Sequence, residues 1–198
     1  MPPNDPSSPE RSGPSADDDR RPDMLVVASI RAGRRDDFDV LYRRYAAWVL
    51  RLARRFTDDE DAALDVLQET FMYLVRKLPT LALTARLTTF LYPAVRNLSI
   101  TVSQRRRRDR GSGEPGDAPA PRETPADPLG EARSTLAAAV AALPDAQREV
   151  LLMRIVDGMG TNEIAGALGI PAGTVKSRLH HAIAALRDDP RTRSYFGA

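Results

Sequence analysis

The stretch TNEIAGALGIPAGTVKSRLHHAIAAL, residues 161–186, leaves a chain few ways to fold. Ile164, Ala165 and Leu168 share one helical face, and Val175, Leu179, Ala182, Ile183 and Leu186 share another, at spacings of three and four. Gly169 follows the last apolar residue of the first segment, where a left-handed cap is least costly for glycine. Pro171 suits the start of the second segment, where a missing N–H does no harm. Two short helices around a tight turn bury these faces against a core. Lys176, Ser177, Arg178, His180 and His181 are then left to face outward from the second helix. These side chains donate to phosphates and base edges, so the pattern predicts a helix-turn-helix with a recognition helix shaped for a major groove. His180 and His181 are poor as a metal pair: neighbours on a helix point about 100° apart, and the chain has no cysteine or further histidine.

The rest of the chain must supply a context for this motif. With 198 residues it has room for one medium or two small domains. The 42% hydrophobic and 6% aromatic content fits small helical units rich in Ala and Leu. Net charge is only +2, so the distribution of charge matters more than its sum. The absence of cysteine excludes disulfides, thiolate metal sites and a cysteine nucleophile. No apolar run approaches a membrane span, and the polar, proline-rich start lacks the apolar core of a signal peptide. The expectation is a soluble cytoplasmic protein. No glycine-rich phosphate loop or Ser/His/Asp pattern appears, so neither an enzyme nor a cofactor is expected.

Along the chain, residues 1–22 lack apolar periodicity and read as a disordered arm. A first unit, residues 23–109, opens with a short helix through Leu25, Val26 and Ile30 that ends at Gly33. An amphipathic helix follows through Phe38, Leu41, Tyr45, Val49, Leu52 and Phe56, with Trp48 near the same face. A third helix spans about 59–78, with Leu64, Leu67, Phe71, Leu74, Val75 and Leu78 as its buried stripe. Its early acids (Asp59, Glu60, Asp61) and late bases (Arg76, Lys77) complement the helix dipole. Residues 79–87 read as a loop. A fourth helix carries Leu91, Val95, Leu98 and Val102 inward; if it starts at Thr88, Pro93 kinks it, and if at Tyr92, Pro93 sits at its start. It closes on Arg105, Arg106, Arg107 and Arg108. Residues 110–130, rich in Gly, Pro and Ala, form a flexible linker. The second unit, residues 131–189, has a helix through Leu136, Val140 and Leu143, then one over 145–157 with Val150, Leu151 and Ile155 inward, then the helix-turn-helix. A frayed tail covers 190–198. The fold class is all-α, two small helical domains joined by a linker.

Two strings tie these units to a family. Residues 143–186, with LP-x-x-x-REVL, EIA and LG-x-P-x-GTVKSRL, closely resemble region 4 of the extracytoplasmic-function sigma factors of the sigma-70 family. DVLQETF, beginning at Asp65, resembles region 2.2 of the same family, and FLYPAVRNLSI resembles regions 2.3 and 2.4, with Phe90 and Pro93 in place of the usual Trp and Arg.

The resemblance implies a protein that directs core RNA polymerase to promoters. Asp65, Gln68 and Glu69, at i, i+3 and i+4, share one helix face, and the resemblance makes them the grip on the β′ clamp, with the second unit on the β flap. Tyr92, Arg96, Asn97 and Arg105–Arg108 are implied to melt and hold the −10 element, where a base leaves the stack and single-strand phosphates need positive charge. Thr174, Lys176, Ser177, Arg178, His180 and His181 are implied to read the −35 element. Promoter DNA, core polymerase and an anti-sigma factor are the implied partners. The alternatives are a polymerase-independent operator-binding regulator and a degenerate relative that acts through protein binding.

Overall fold

The computed structural model describes residues 21–57, 59–109 and 128–196, except the side chains at 107, 109, 128–131, 194 and 196. Residues 1–20 of the arm expected over 1–22, and most of the expected linker, lie outside the described residues; Arg21 and Pro22 are ordered, with Arg21 Nη2 2.8 Å from Asp37 Oδ1. Among the described residues every regular element is helical.

The first unit contains α1 (Asp23–Arg31), α2 (Phe38–Ala53), α3 (Glu60–Lys77) and α4 (Leu87–Asp109). One carboxylate organises its start. Asp23 accepts from Arg44 Nη1 at 2.6 Å, from the Tyr45 hydroxyl, and from the Leu87 N–H at 3.2 Å. It thereby satisfies an orphan donor at the N-terminus of α4 and fixes that helix to α1 and α2. Burial, followed by the hydrogen bond to Asp23, pushes the Tyr45 phenol far above its ordinary range. Asp59 is the N-cap of α3, accepting from the Ala62 N–H at 2.6 Å. The core between these helices holds Val26, Leu41, Val49, Leu52, Val66, Leu74, Leu91 and Val95.

Helix α3 departs from the expected stripe. Phe71, Leu74 and Leu78 are buried, but Leu64 and Val75 are 45% and 50% exposed. The core side is carried by Ala62, Ala63, Val66 and Thr70 instead. Small side chains let α3 approach its neighbours closely, and the larger Leu64, Leu67, Met72 and Val75 form a second apolar face. With Phe38 and Tyr42 that face lines an open groove of about 600 Å³. Helix α4 begins at Leu87 and runs on through Pro93, which is therefore an interior proline with no N–H for the preceding turn.

The second unit contains α5 (Pro128–Ala141), α6 (Asp145–Ile155), α7 (Thr161–Leu168), α8 (Ala172–Asp188) and α9 (Arg193–Phe196). Ala139, Leu143, Leu151, Ala182 and Leu186 form a small core of their own. Ile155 and Ile183, both expected inward, are 71% and 37% exposed, and Leu136 is 42% exposed. On α6 the inward set is Val150, Leu151 and Met153, and Ile155 ends the helix on another side. The expected frayed tail is instead folded back: Thr192 is fully buried and its hydroxyl donates to the Leu186 carbonyl.

The two units are packed together. Val150, Met153, Met159, Ile164, Ala167 and Val175 belong to the same buried cluster as the core of the first unit. Helix α7 lies against α4 so closely that a Cβ on Gly166 would meet Thr89 Cγ2 at 3.3 Å. No composition pattern indicated this contact.

Candidate nucleic-acid interface

The turn between α7 and α8 forms as its residues demand. Gly169 adopts φ +66°, the left-handed conformation that a β-carbon disfavours, and Pro171 caps α8. At the other end of α7 the Gly160 N–H donates to Glu163 Oε2 at 2.6 Å, which fixes the helix start. Val175, Ala182 and Leu186 point into protein. Lys176, Ser177, His180 and His181 are exposed, and Thr174 and Arg178 are half-buried. The two imidazoles lie edge to face with centroids 5.8 Å apart. A row of donors thus faces solvent along one helix, with its backbone held by the turn.

The α4 residues divide into two groups. Asn97, Arg105 and Arg108 are exposed. Arg107 lies on the helix, with its side chain outside the description. Arg106 turns inward along the surface, with Nη1 2.8 Å from Asp59 Oδ1 and Nη2 2.7 Å from Asp65 Oδ2. One arginine of the basic run is therefore tied to the acidic face of α3. Asp65, Gln68, Glu69, Val102, Arg105 and Arg106 together line one cleft. Gln68 is exposed, Asp65 keeps 53% side-chain exposure despite its ion pair, and Glu69 is half-buried.

At the other end of α4, Tyr92 and Arg96 face the second unit. Tyr92 is 1% exposed, and its hydroxyl donates to Glu149 Oε1 at 3.0 Å. Burial comes first, followed by the Glu149 charge and hydrogen bond, in pushing this phenol well above its ordinary range. The same Glu149 oxygen lies 3.1 Å from Arg96 Nε. Arg55 Nη2 donates to Asp157 Oδ2 at 2.5 Å, and Arg86 Nε stands 3.7 Å from Glu163 Oε1. Tyr92 is thus covered in this arrangement.

Several residues here escaped sequence reasoning. Tyr73 stacks on Phe90 at 5.8 Å with the rings nearly parallel, and Lys77 Nζ sits 5.7 Å above Tyr73. The i, i+4 spacing of Tyr73 and Lys77 was a usable signal. Glu149, Asp157 and Glu163 carry no such signal, because their partners lie in the other unit. Among the described residues no cluster of three potential metal ligands occurs.

Comparison with known proteins matches both halves. The Sigma-70 region 2 family covers residues 41–111, and the Sigma-70 region 4 family covers residues 133–186. The ECF RNA polymerase sigma factor SigL of Mycobacterium tuberculosis is 35% identical over 150 residues, spanning 74% of this chain and 85% of that protein. The ECF RNA polymerase sigma factor SigW of Bacillus subtilis is 26% identical over 177 residues, spanning 83% and 95%. Among solved structures, CnrH in complex with the cytosolic domain of CnrY aligns with a TM-score of 0.59 at 26% identity, covering 82% of this chain and 93% of CnrH.

Proposed function

This chain belongs to the extracytoplasmic-function sigma factors of the sigma-70 family, and from that premise we propose how its residues divide the work of starting transcription. As a sigma factor it directs core RNA polymerase to promoters. Region 2 lies in the unit of α1–α4 and region 4 in the unit of α5–α9. The family's role is DNA recognition rather than catalysis. Among the described residues no helix is long and apolar enough to cross a membrane, and a cytoplasmic location beside the polymerase follows from this role.

Asp65, Gln68 and Glu69 dock region 2 on the β′ clamp. Their support is placement: one face of α3, with Asp65 and Gln68 exposed and Glu69 half-buried, next to the apolar groove of Leu64, Leu67, Met72 and Val75. A charged rim around an apolar centre is the anatomy of a protein interface. Tyr92, Arg96, Asn97 and the arginines 105–108 take the melted −10 strand, with phosphate contacts that are strong, salt-dependent and sequence-blind. Lys176, Ser177 and Arg178 read the −35 element, Arg178 being the natural bidentate partner of a guanine. Thr174, His180 and His181 flank them on the same helix. Region 4 also sits on the β flap. Each unit alone binds DNA weakly, and tethering raises the effective concentration of the second contact. An anti-sigma factor is the remaining partner. CnrH, solved in complex with the cytosolic domain of CnrY, is a physical precedent for such a partner.

The observation that carries this reading is the pairing of two surfaces on one chain, an acidic α3 face and a basic recognition helix. An operator-binding regulator has no use for the first. Binding to core RNA polymerase at fixed salt tests it, comparing wild type with an Asp65→Ala/Gln68→Ala/Glu69→Ala variant whose folding is checked by circular dichroism. Tight binding that the variant loses supports the assignment; equal binding by both moves the docking surface elsewhere.

A further inference from the structure

Three carboxylates of region 4 each meet an arginine of region 2. Glu149 pairs with Arg96, Asp157 with Arg55, and Glu163 with Arg86. They come from three successive parts of the chain: α6, the turn after it, and α7. The arginines come from just past the end of α2 (Arg55), just before α4 (Arg86) and within α4 (Arg96). This is a match between faces rather than one chance contact. A cleft of about 370 Å³ marks the seam, and Arg55, Tyr92, Arg96 and Glu149 line it.

We propose that this acidic face of region 4 stands in for nucleic-acid phosphates on the basic face of region 2, so that single-stranded DNA and region 4 compete for Arg55, Arg86, Arg96 and Tyr92. The proposal rests on the assignment of Tyr92 and Arg96 to the −10 strand. A carboxylate and a phosphate make the same demand on a guanidinium: two acceptor oxygens and a negative charge. Tyr92 offers its hydroxyl to Glu149 in the closed form. Parting of the units returns that donor to solvent, together with its flat ring for a base. Lys176, Ser177, His180 and His181 stay exposed in the closed form and Arg178 is half-buried, so the device gates −10 capture and leaves most of the −35 reader open. The apolar contacts of Met153, Met159 and Ile164 make closure more than electrostatic, and the carboxylates set which face is covered.

The chain has no cysteine, so two introduced cysteines take a fluorescent dye pair cleanly. Arg51→Cys in α2 and Arg187→Cys in α8 are exposed positions, one in each unit. The full chain with these dyes reports closure by energy transfer. Binding of a short fluorescent single-stranded DNA of mixed sequence reports access. Glu149→Gln/Glu163→Gln removes two charges and keeps acceptor oxygens for Tyr92 and the α7 start. The expected result is lower energy transfer and single-strand affinity raised roughly three- to tenfold, since apparent affinity scales with the competent fraction. Arg96→Glu/Glu149→Arg restores the pair in reverse, and the expected result is energy transfer back at the wild-type level. Opening with no gain in DNA affinity overturns the competition, and so does an unchanged energy transfer. Arg96→Ala in the opened background separates the two levels. If DNA binding is unaffected there, the −10 assignment of Arg96 falls. If it drops while the Gln variant binds no better than wild type, the competition alone falls.

Discussion

Arg55 and Asp157 lie 102 positions apart in the chain and meet at 2.5 Å, joining the end of α2 to the turn before α7. The Asp157 side chain is 1% exposed and that of Arg55 21%. A carboxylate taken out of water needs its partner. Asp157→Ala leaves the guanidinium unpaired at a partly wet edge. The expected loss of stability is about 2–3 kcal/mol, below the ~3–5 kcal/mol of a fully buried pair because Arg55 stays partly wet. Denaturant unfolding measures it. Arg55→Met/Asp157→Leu is expected to recover most of the loss, because an apolar pair of similar size avoids the stranded charge.

Arg106 links the two surfaces of region 2. It pairs with Asp65, which is assigned to polymerase, from within the run assigned to DNA. For Asp65 to meet a cation of the clamp, this pair must part. Exposed pairs are worth about 0.2–1 kcal/mol. Arg106→Gln is therefore expected to tighten core polymerase binding by up to about fivefold and to weaken single-strand binding. Titration of core polymerase and of single-stranded DNA, with one variant in both assays, checks the opposite signs.

How much of this was legible in the sequence depends on distance along the chain. The helix-turn-helix could be read because its causes are local: Gly169, Pro171 and the spacing from Ile164 to Leu186. The α3 acids could be read because i, i+3 and i+4 share a face. The burial of Leu64, Val75 and Ile155 was misjudged because an apolar period shows that a face exists, not which of two faces the core selects. On α3 the close approach of α4 selects the small residues Ala62, Ala63, Val66 and Thr70. The contact between the units was invisible. Glu149, Asp157 and Glu163 look like ordinary surface acids until Arg96, Arg55 and Arg86 are placed opposite them.

Tyr92 gives closure a pH signature. Its phenol is pushed upward in the closed form by burial and by Glu149. On opening it returns toward the ordinary value of 10.0. Its folded value is raised, so its contribution to closure is complete below about pH 10 and is lost as pH rises above that. Energy transfer between the units is expected to fall in that alkaline range. Tyr92→Phe lacks this component, and at neutral pH it closes less well by about 0.5–1.5 kcal/mol, the worth of one hydrogen bond.

Gly166 offers an opening variant without a charge change. A Cβ there already sits at 3.3 Å from Thr89 Cγ2. Gly166→Leu improves helix propensity within α7 by roughly 1 kcal/mol but drives a larger side chain into α4. The expected result is an intact region 4 and separated units. Far-ultraviolet circular dichroism and energy transfer together check it.

The central claim is that this chain gives core RNA polymerase its choice of start sites. The direct measurement is transcription in vitro from genomic DNA by core polymerase, with and without the protein, with the new transcript ends sequenced. The account predicts a set of starts that appear only with the protein. They share a −35 and a −10 element at fixed spacing, and they vanish with the Asp65→Ala/Gln68→Ala/Glu69→Ala variant. A transcript profile unchanged by the wild-type protein, with no anti-sigma factor present and the protein folded, would contradict it.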